Sequence, residues 1–247
     1  MFRKQIHINC DLGEGGKYDS QLMPLISACN IACGGHAGDV QSMTKTLLLA
    51  KQHKVQIGAH PSYPDKENFG RHSIKISEQQ LKNSIKDQIL SLNKIAMEHG
   101  EKLTHIKPHG ALYNDAAKDK NIAEIVLQAI KECELNIPIY CPENSKIFQL
   151  SKSNIPMVFE AFADRNYNPD LSLVSRSNSN ALIIQKEAVF KHLFKMFNEG
   201  KIRCENGQEI KVNPDTFCLH SDTPNSVEIL HFIAEKFQKI NIKIAKE

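Results

Sequence analysis

The chain has 247 residues, with 31 Lys and Arg against 28 Asp and Glu for a formal net charge of +3, and it is 41% hydrophobic and 24% charged. That balance supplies a core and excludes a disordered or collagen-like chain. So small a charge, spread over a mixed surface, leaves no basic footprint for nucleic acid. The seven cysteines are odd in number and include no Cys-x-x-Cys pair, so they read as reduced, buried thiols of a cytoplasmic protein. Cys29 and Cys33 have no second pair to complete a zinc site. The charged, alternating stretch from Met1 to Asn9 contains no apolar h-region, so no signal peptide is expected. No apolar run approaches the ~20 residues of a membrane helix.

In chain order, a strand pattern over residues 5–11 is followed by another at 25–34 and a helical pattern at 40–53. A strand at 55–60 then leads to a long amphipathic stretch at 78–99, opened by a Ser77/Gln80 capping box and ended by Gly100. Strands at 103–109 and 137–142 flank a helix at 122–134. A strand at 157–164, a helix at 186–199, a strand at 216–220 and a helix at 224–239, started by Thr223-Pro224, complete the chain. No linker or repeat divides it, so residues 1–247 read as one domain. Alternating β and α segments imply a mostly parallel sheet covered by helices. Seven strands point to a distorted, TIM-like (β/α) barrel, with an open doubly wound sheet as the alternative.

Polar residues gather at one end of these strands. Asp11 and Glu14 close the first; His36 and Asp39 follow the second; His60 closes the third. Lys107 and His109 close the fourth, Glu143 follows the fifth, Asp164 and Arg165 close the sixth, and His220 and Asp222 close the seventh. In parallel α/β folds these C-terminal strand ends open on one face, where ligand sites are built. Side chains at i and i+2 share a strand face, which groups His7, Asn9 and Asp11; His105, Lys107 and His109; Gln56, Gly58 and His60; Glu160 and Asp164; and Cys218, His220 and Asp222. The apolar rows between them should meet the helices. Asn9, Asp11, His36, His60, Lys107, His109, Asp164 and His220 are therefore expected to line one cavity.

Taken singly, each residue has a plainer reading. Lys107 is a candidate ion-pair partner for Asp164 or Asp222, Asp39 a helix N-cap, Glu143 a solvated rim residue, and Arg71 and Arg176 surface cations. Convergence is what points to a site. The chain has no phosphate loop, no Gly-x-Ser-x-Gly elbow and no His-Glu-x-x-His motif.

The strand-end motifs Asn9-Cys10-Asp11-Leu12-Gly13-Glu14, Asn30-Ile31-Ala32-Cys33-Gly34-Gly35-His36-Ala37-Gly38-Asp39 and Gly58-Ala59-His60-Pro61 resemble the LamB/YcsF family. So do Lys107-Pro108-His109-Gly110-Ala111-Leu112-Tyr113-Asn114, Phe162-Ala163-Asp164-Arg165 and His220-Ser221-Asp222-Thr223-Pro224. The resemblance runs through the whole chain in order. It implies a seven-stranded barrel related to polysaccharide deacetylases. It departs from the family where Gly35 replaces an aromatic residue, where Leu171 and Ser221 replace glycines, and where Gly15-Gly16-Lys17 replaces a Phe-Gly pair.

The family includes the A component of the prokaryotic ATP-dependent 5-oxoprolinase. The resemblance therefore implies opening of 5-oxo-L-proline to L-glutamate at the expense of ATP, beside two further subunits, B and C. With no ATP loop in this chain, the partners would activate the lactam and this barrel would hydrolyse it. On that reaction Asp11 or His109 would be the general base, and Lys107 would stabilise the oxyanion or phosphate. Asp164, Asp222 and His220 would orient these groups or shuttle a proton. Asn9, Glu14, His36 and His60 would contact substrate, and Arg165 or Arg176 would grip its carboxylate. Two rival readings remain: a metal-dependent deacetylase or amidohydrolase using Asp11, His36 and His60, and a non-catalytic substrate-binding subunit.

Overall fold

The computed structural model describes residues 4–151 and 155–246; Met1 to Arg3 of the opening stretch lie outside them. Seven strands close into a barrel: β1 (Ile8–Leu12), β2 (Ala28–Ala32), β3 (Gln56–His60), β4 (His105–Ile106), β5 (Ile139–Cys141), β6 (Met157–Phe162) and β7 (Thr216–Cys218). All neighbours are parallel, and β7 closes the ring by pairing with both β6 and β1. Closure excludes the open doubly wound sheet. The apolar row Ile8, Cys10 and Leu12 is buried against the helices, while Asn9 and Asp11 point to the barrel axis, as period two requires.

Register places Asp11, Asn30, Gly58 and His105 at one level across four adjacent strands. Gly58 makes that level possible. A Cβ there would lie 2.1 Å from His105 Nε2, so only glycine leaves room for the imidazole to reach across to Asn30.

The helices at Val40–His53 and Lys186–Glu199 have the expected bounds. The first carries Asp39 as its N-cap, its side chain accepting from the Ser42 N–H. The capping box of Ser77 and Gln80 opens Glu78–Glu98. Other expectations need correction. The 5–11 strand breaks at His7, and its first part (Gln5–Ile6) pairs with Lys243–Ile244 outside the barrel. The 122–134 helix occupies Lys120–Lys131, because the Asp119 carboxylate accepts from the N–H groups of Asn121 and Ile122. The last helix starts at Ser226, not at Pro224, after Asn225 adopts φ +61°. The chain also forms elements not expected from its sequence: the helices Asp19–Leu22, Gly110–Lys118 and Lys146–Ser151 and an antiparallel pair of strands, Lys201–Arg203 with Glu209–Lys211. Residues 163–185 form no helix and only isolated bridges; bonds such as Asn166 N–H to Ala181 O and Ile183 N–H to Asp164 O fold the segment on itself, and part of it, from Leu173 to Ser177, lines the mouth of the barrel.

All seven cysteines are free and buried. Among the described residues no helix is long and apolar enough to cross a membrane.

Candidate active site

The barrel interior is polar from its floor upward, where a structural barrel would be filled with branched apolar side chains. At the floor His7 meets Thr216 Oγ1 at 2.8 Å and Gln56 Oε1 at 3.2 Å. Above it Asn9 Nδ2 donates to Glu160 Oε1 and Thr216 Oγ1, both at 2.9 Å. Asn30 Nδ2 donates to Asn9 Oδ1 at 2.8 Å and Asp11 Oδ1 at 2.7 Å. His105 Nε2 donates to Asn30 Oδ1 at 2.7 Å. Burial, with His7 and Lys107 nearby, pushes the His105 imidazole well below its usual range, so it remains neutral.

Lys107 occupies the centre of the next level. Its ammonium lies 3.0 Å from Asp11 Oδ1, 3.0 Å from Glu160 Oε1, 3.3 Å from Asn9 Oδ1 and 3.1 Å from Cys218 Sγ. Burial alone would discharge it, but Asp11, Cys218 and Glu160 outweigh burial and hold it well above the usual lysine value. Burial would likewise protonate Asp11, yet positive charge at His60 and the Lys107 ammonium keep its carboxyl well below the usual range. Lys107 therefore pairs with Asp11 and Glu160, not with Asp164 or Asp222. Its three N–H groups are shared among four acceptors, so it fixes Asp11 in place and has no donor to spare for a ligand.

Four residues ring the axis above Asp11. His36 Nε2 donates to Glu14 Oε1 at 3.0 Å. His60 Nδ1 donates to the Lys107 carbonyl at 2.7 Å, and His109 Nε2 to the Phe69 carbonyl at 3.0 Å. Burial pushes His36 down, and burial with His60 and His36 pushes His109 well down, so both rings are neutral near pH 7. Gly35 carries the adjoining turn. A Cβ there would come within 2.3 Å of Ser62 Oγ and 2.4 Å of Gln88 Oε1. The Gln88 amide, bonded to the Ser62 N–H and C=O, fills the space in which an aromatic side chain would have to fit.

At the rim Asp164 accepts from the His220 backbone N–H at 2.9 Å and from Thr223 Oγ1 at 2.5 Å, and both its oxygens lie 3.0 Å from His220 Nδ1. Burial would raise the Asp164 carboxyl, but His220 and Thr223 outweigh it and hold it low. His220 Nδ1 is thus the protonated nitrogen, and Nε2 carries the lone pair. The ring stacks on Phe162, with centroids 5.3 Å apart. Arg71 and Arg176 converge on Asp222, Arg71 in a very short contact and Arg176 at 3.5 Å. Arg165 is committed to the backbone, donating to the Val174 carbonyl at 2.7 Å and the Ala181 carbonyl at 3.3 Å.

A cavity of about 540 Å³ opens among these groups. Asp11, Glu14, His60, Lys107, His109, Arg165, Arg176, His220 and Asp222 line it. Asn9, His36 and Asp164, expected in its wall, stand behind it; they hold Glu160, Glu14 and His220 respectively. That removes Asn9 and His36 from direct contact with a ligand in this arrangement, and the backbone bonds of Arg165 leave Arg176 as the freer cation. Arg71 and Tyr113, absent from the expected set, also line the cavity. Arg71 is legible only through its pairing across 151 positions with Asp222, which no local pattern reveals. Glu143 is half-buried at the edge of a cavity, where its carboxylate accepts from the Asn213 N–H. A second cavity of about 270 Å³ adjoins at Tyr113 and Phe162 and is lined also by Glu160 and Leu171. Leu171 adopts φ +63°, a conformation that favours glycine.

The family match extends over residues 6–247. The chain belongs to the LamB/YcsF family. A relative from Haemophilus influenzae (strain PittEE), named as the A component of 5-oxoprolinase, is 37% identical over 242 residues, 98% of this chain and 99% of its own. The crystal structure of the lactam utilization protein from Thermus thermophilus superposes with a TM-score of 0.90 at 30% identity, covering 98% of this chain and all of that one. A family 4 carbohydrate esterase from Streptomyces lividans, at 9% identity and a TM-score of 0.51 over 98% of this chain and 91% of its own, shares the fold. That likeness is one of fold alone.

Proposed function

We propose that this LamB/YcsF chain is the hydrolytic subunit of an ATP-dependent 5-oxoprolinase, opening 5-oxo-L-proline to L-glutamate in a complex with two partner subunits, B and C. The reading rests on one combined observation. A His220–Asp164 pair opens on a cavity large enough for a small cyclic substrate, in a chain 37% identical to a relative named for 5-oxoprolinase.

The lactam is a resonance-stabilised amide whose nitrogen leaves poorly, and phosphorylating its oxygen makes the ring carbon electrophilic. With ATP as phosphoryl donor, bound by the partners, water adds at that carbon. The ring C–N bond breaks as nitrogen takes up a proton, and the resulting acyl phosphate takes a second water to give glutamate and phosphate. In this chain His220 Nε2 removes the proton from the attacking water and returns one to the nitrogen, with Asp164 holding the ring. Asp11, anchored by Lys107, directs the water. It is a weak base because its carboxyl is held low, so His220 takes the role first read for Asp11 or His109. Arg176, swinging from Asp222, offers a bidentate partner for the substrate carboxylate.

The isolated chain given 5-oxoproline and ATP is expected to release no glutamate, whereas adding both partner subunits restores it. Glutamate release by the pure chain at the rate of the complex would refute the division of labour.

A further inference from the structure

Two imidazole lone pairs face each other near the barrel axis. A carbonyl oxygen only accepts, so the bond from His60 Nδ1 to the Lys107 carbonyl places the His60 proton on Nδ1. The bond from His109 Nε2 to the Phe69 carbonyl likewise places the His109 proton on Nε2. The nitrogens left over, His60 Nε2 and His109 Nδ1, lie 2.9 Å apart. Two lone pairs at that distance repel unless a positive charge, either a shared proton or a metal ion, joins them. The carboxylates lie on the same side: Glu14 Oε1 is 3.4 Å from His109 Nδ1 and 3.9 Å from His60 Nε2, and Asp11 Oδ2 is 3.5 Å from His60 Nε2.

The 2.9 and 3.4 Å spacings that His109 makes with His60 and Glu14 match those of donors around one ion, and the 3.9 Å between Glu14 and His60 needs a small turn of the carboxylate to join them. Ligands about 2.0–2.1 Å from zinc, at angles of about 90–110°, stand roughly 2.9–3.4 Å from each other. The His60 and His109 rings are inclined at 85°, so their in-plane lone pairs can meet at one point. His36 belongs to the same cluster by distance, but its ring lies parallel to that of His109, at 6° and 3.7 Å. A point in the plane of one ring therefore falls well outside the plane of the other. His36 instead donates to Glu14, the outer bond that orients a ligating carboxylate.

We propose that Glu14, His60 and His109 bind one divalent transition-metal ion, with His36 positioning Glu14 and the remaining coordination position open to the cavity. Two imidazoles and a carboxylate suit zinc and its neighbours and disfavour calcium or magnesium. Asp222 and Arg71 lie at the rim and take no part. The second cluster of donors, Asp11, Cys218 and His220, is no rival, because the Lys107 ammonium bonds both Asp11 and Cys218. The site rests on donor geometry and stands whether or not 5-oxoproline is the substrate. It also differs from the Asp11, His36 and His60 set that sequence alone suggests.

The test is titration of chelator-stripped protein with Zn²⁺ by calorimetry and with Co²⁺ by visible absorption, alongside thermal melts of every variant. One equivalent of metal per chain is expected, with low-coordinate Co²⁺ bands. Glu14→Gln and His109→Asn should each weaken binding at least 100-fold, and His36→Gln about 10–100-fold. Arg71→Gln should leave binding unchanged. Folded wild-type protein that takes up no metal would overturn the proposal in favour of a proton shared between the two rings. So would wild-type affinity in folded Glu14→Gln and His109→Asn.

Discussion

Replacing Lys107 by methionine is expected to cost about 3–5 kcal/mol of stability at neutral pH, the penalty of breaking a buried ion pair by removing one partner. Methionine keeps the stem and loses the charge. Asp11 and Glu160, both within 3.0 Å of the ammonium and both buried, are then left without their cation. In the wild type the depressed Asp11 carboxyl contributes stability that is present above its unfolded value of about 3.9 and is lost as pH falls through the folded one. In the variant the sign reverses. Desolvation and mutual repulsion raise the two carboxyls, so stability is lost as pH rises through the raised values. The deficit relative to wild type should accordingly be smaller at pH 5 than at pH 8. Urea unfolding at the two pH values checks this, and a deficit that is absent or independent of pH would show that Lys107 does not hold the interior together. Activity should fall with it, because Asp11 loses its anchor.

Asp164→Asn is expected to reduce turnover about 10²–10⁴-fold, the range for loss of a positioned acid–base group, with KM changed only a few-fold. Asp164 acts as a positioning residue. It accepts from His220 Nδ1 and thereby leaves Nε2 bare toward the cavity. An amide can present N–H groups to the ring instead, which favours the tautomer with its proton on Nε2 and no base facing the substrate. The substitution also weakens the cap on Thr223, so thermal melts belong beside the kinetics. A loss in kcat without a matching loss in KM supports the tautomer role. A folded variant with turnover within tenfold of wild type would remove it.

Much of this arrangement is legible in the sequence. Residues 40–53 and 186–199 show their bounds because their signals are local: Asp39 caps one, and Gly200, at φ +62°, ends the other. The polar rows are legible because strand parity is local too; Asn9, Asp11 and Lys107 point inward as their positions require. Gly110–Lys118 escapes notice because its nine residues hold too few turns for a periodic pattern. The ends of long-range bonds are also invisible. Nothing near Lys107 in sequence says that Glu160 and not Asp222 is its partner, or that Arg165 spends its donors on the Val174 and Ala181 carbonyls. Convergence at a strand end likewise does not separate wall from support, which is why Asn9, His36 and Asp164 move one layer back. The tautomers of His60 and His109 depend on the Lys107 and Phe69 carbonyls, groups that every residue carries and no motif marks.

The central claim, that this barrel carries out hydrolysis with His220 as its acid–base group, is tested most directly by assembling the complex with His220→Ala in place of the wild-type chain and measuring glutamate and phosphate in the same reaction. His220 is only partly buried, so the variant is expected to fold and assemble, and glutamate release should fall at least 100-fold. A complex containing His220→Ala that releases glutamate at the wild-type rate would contradict the account.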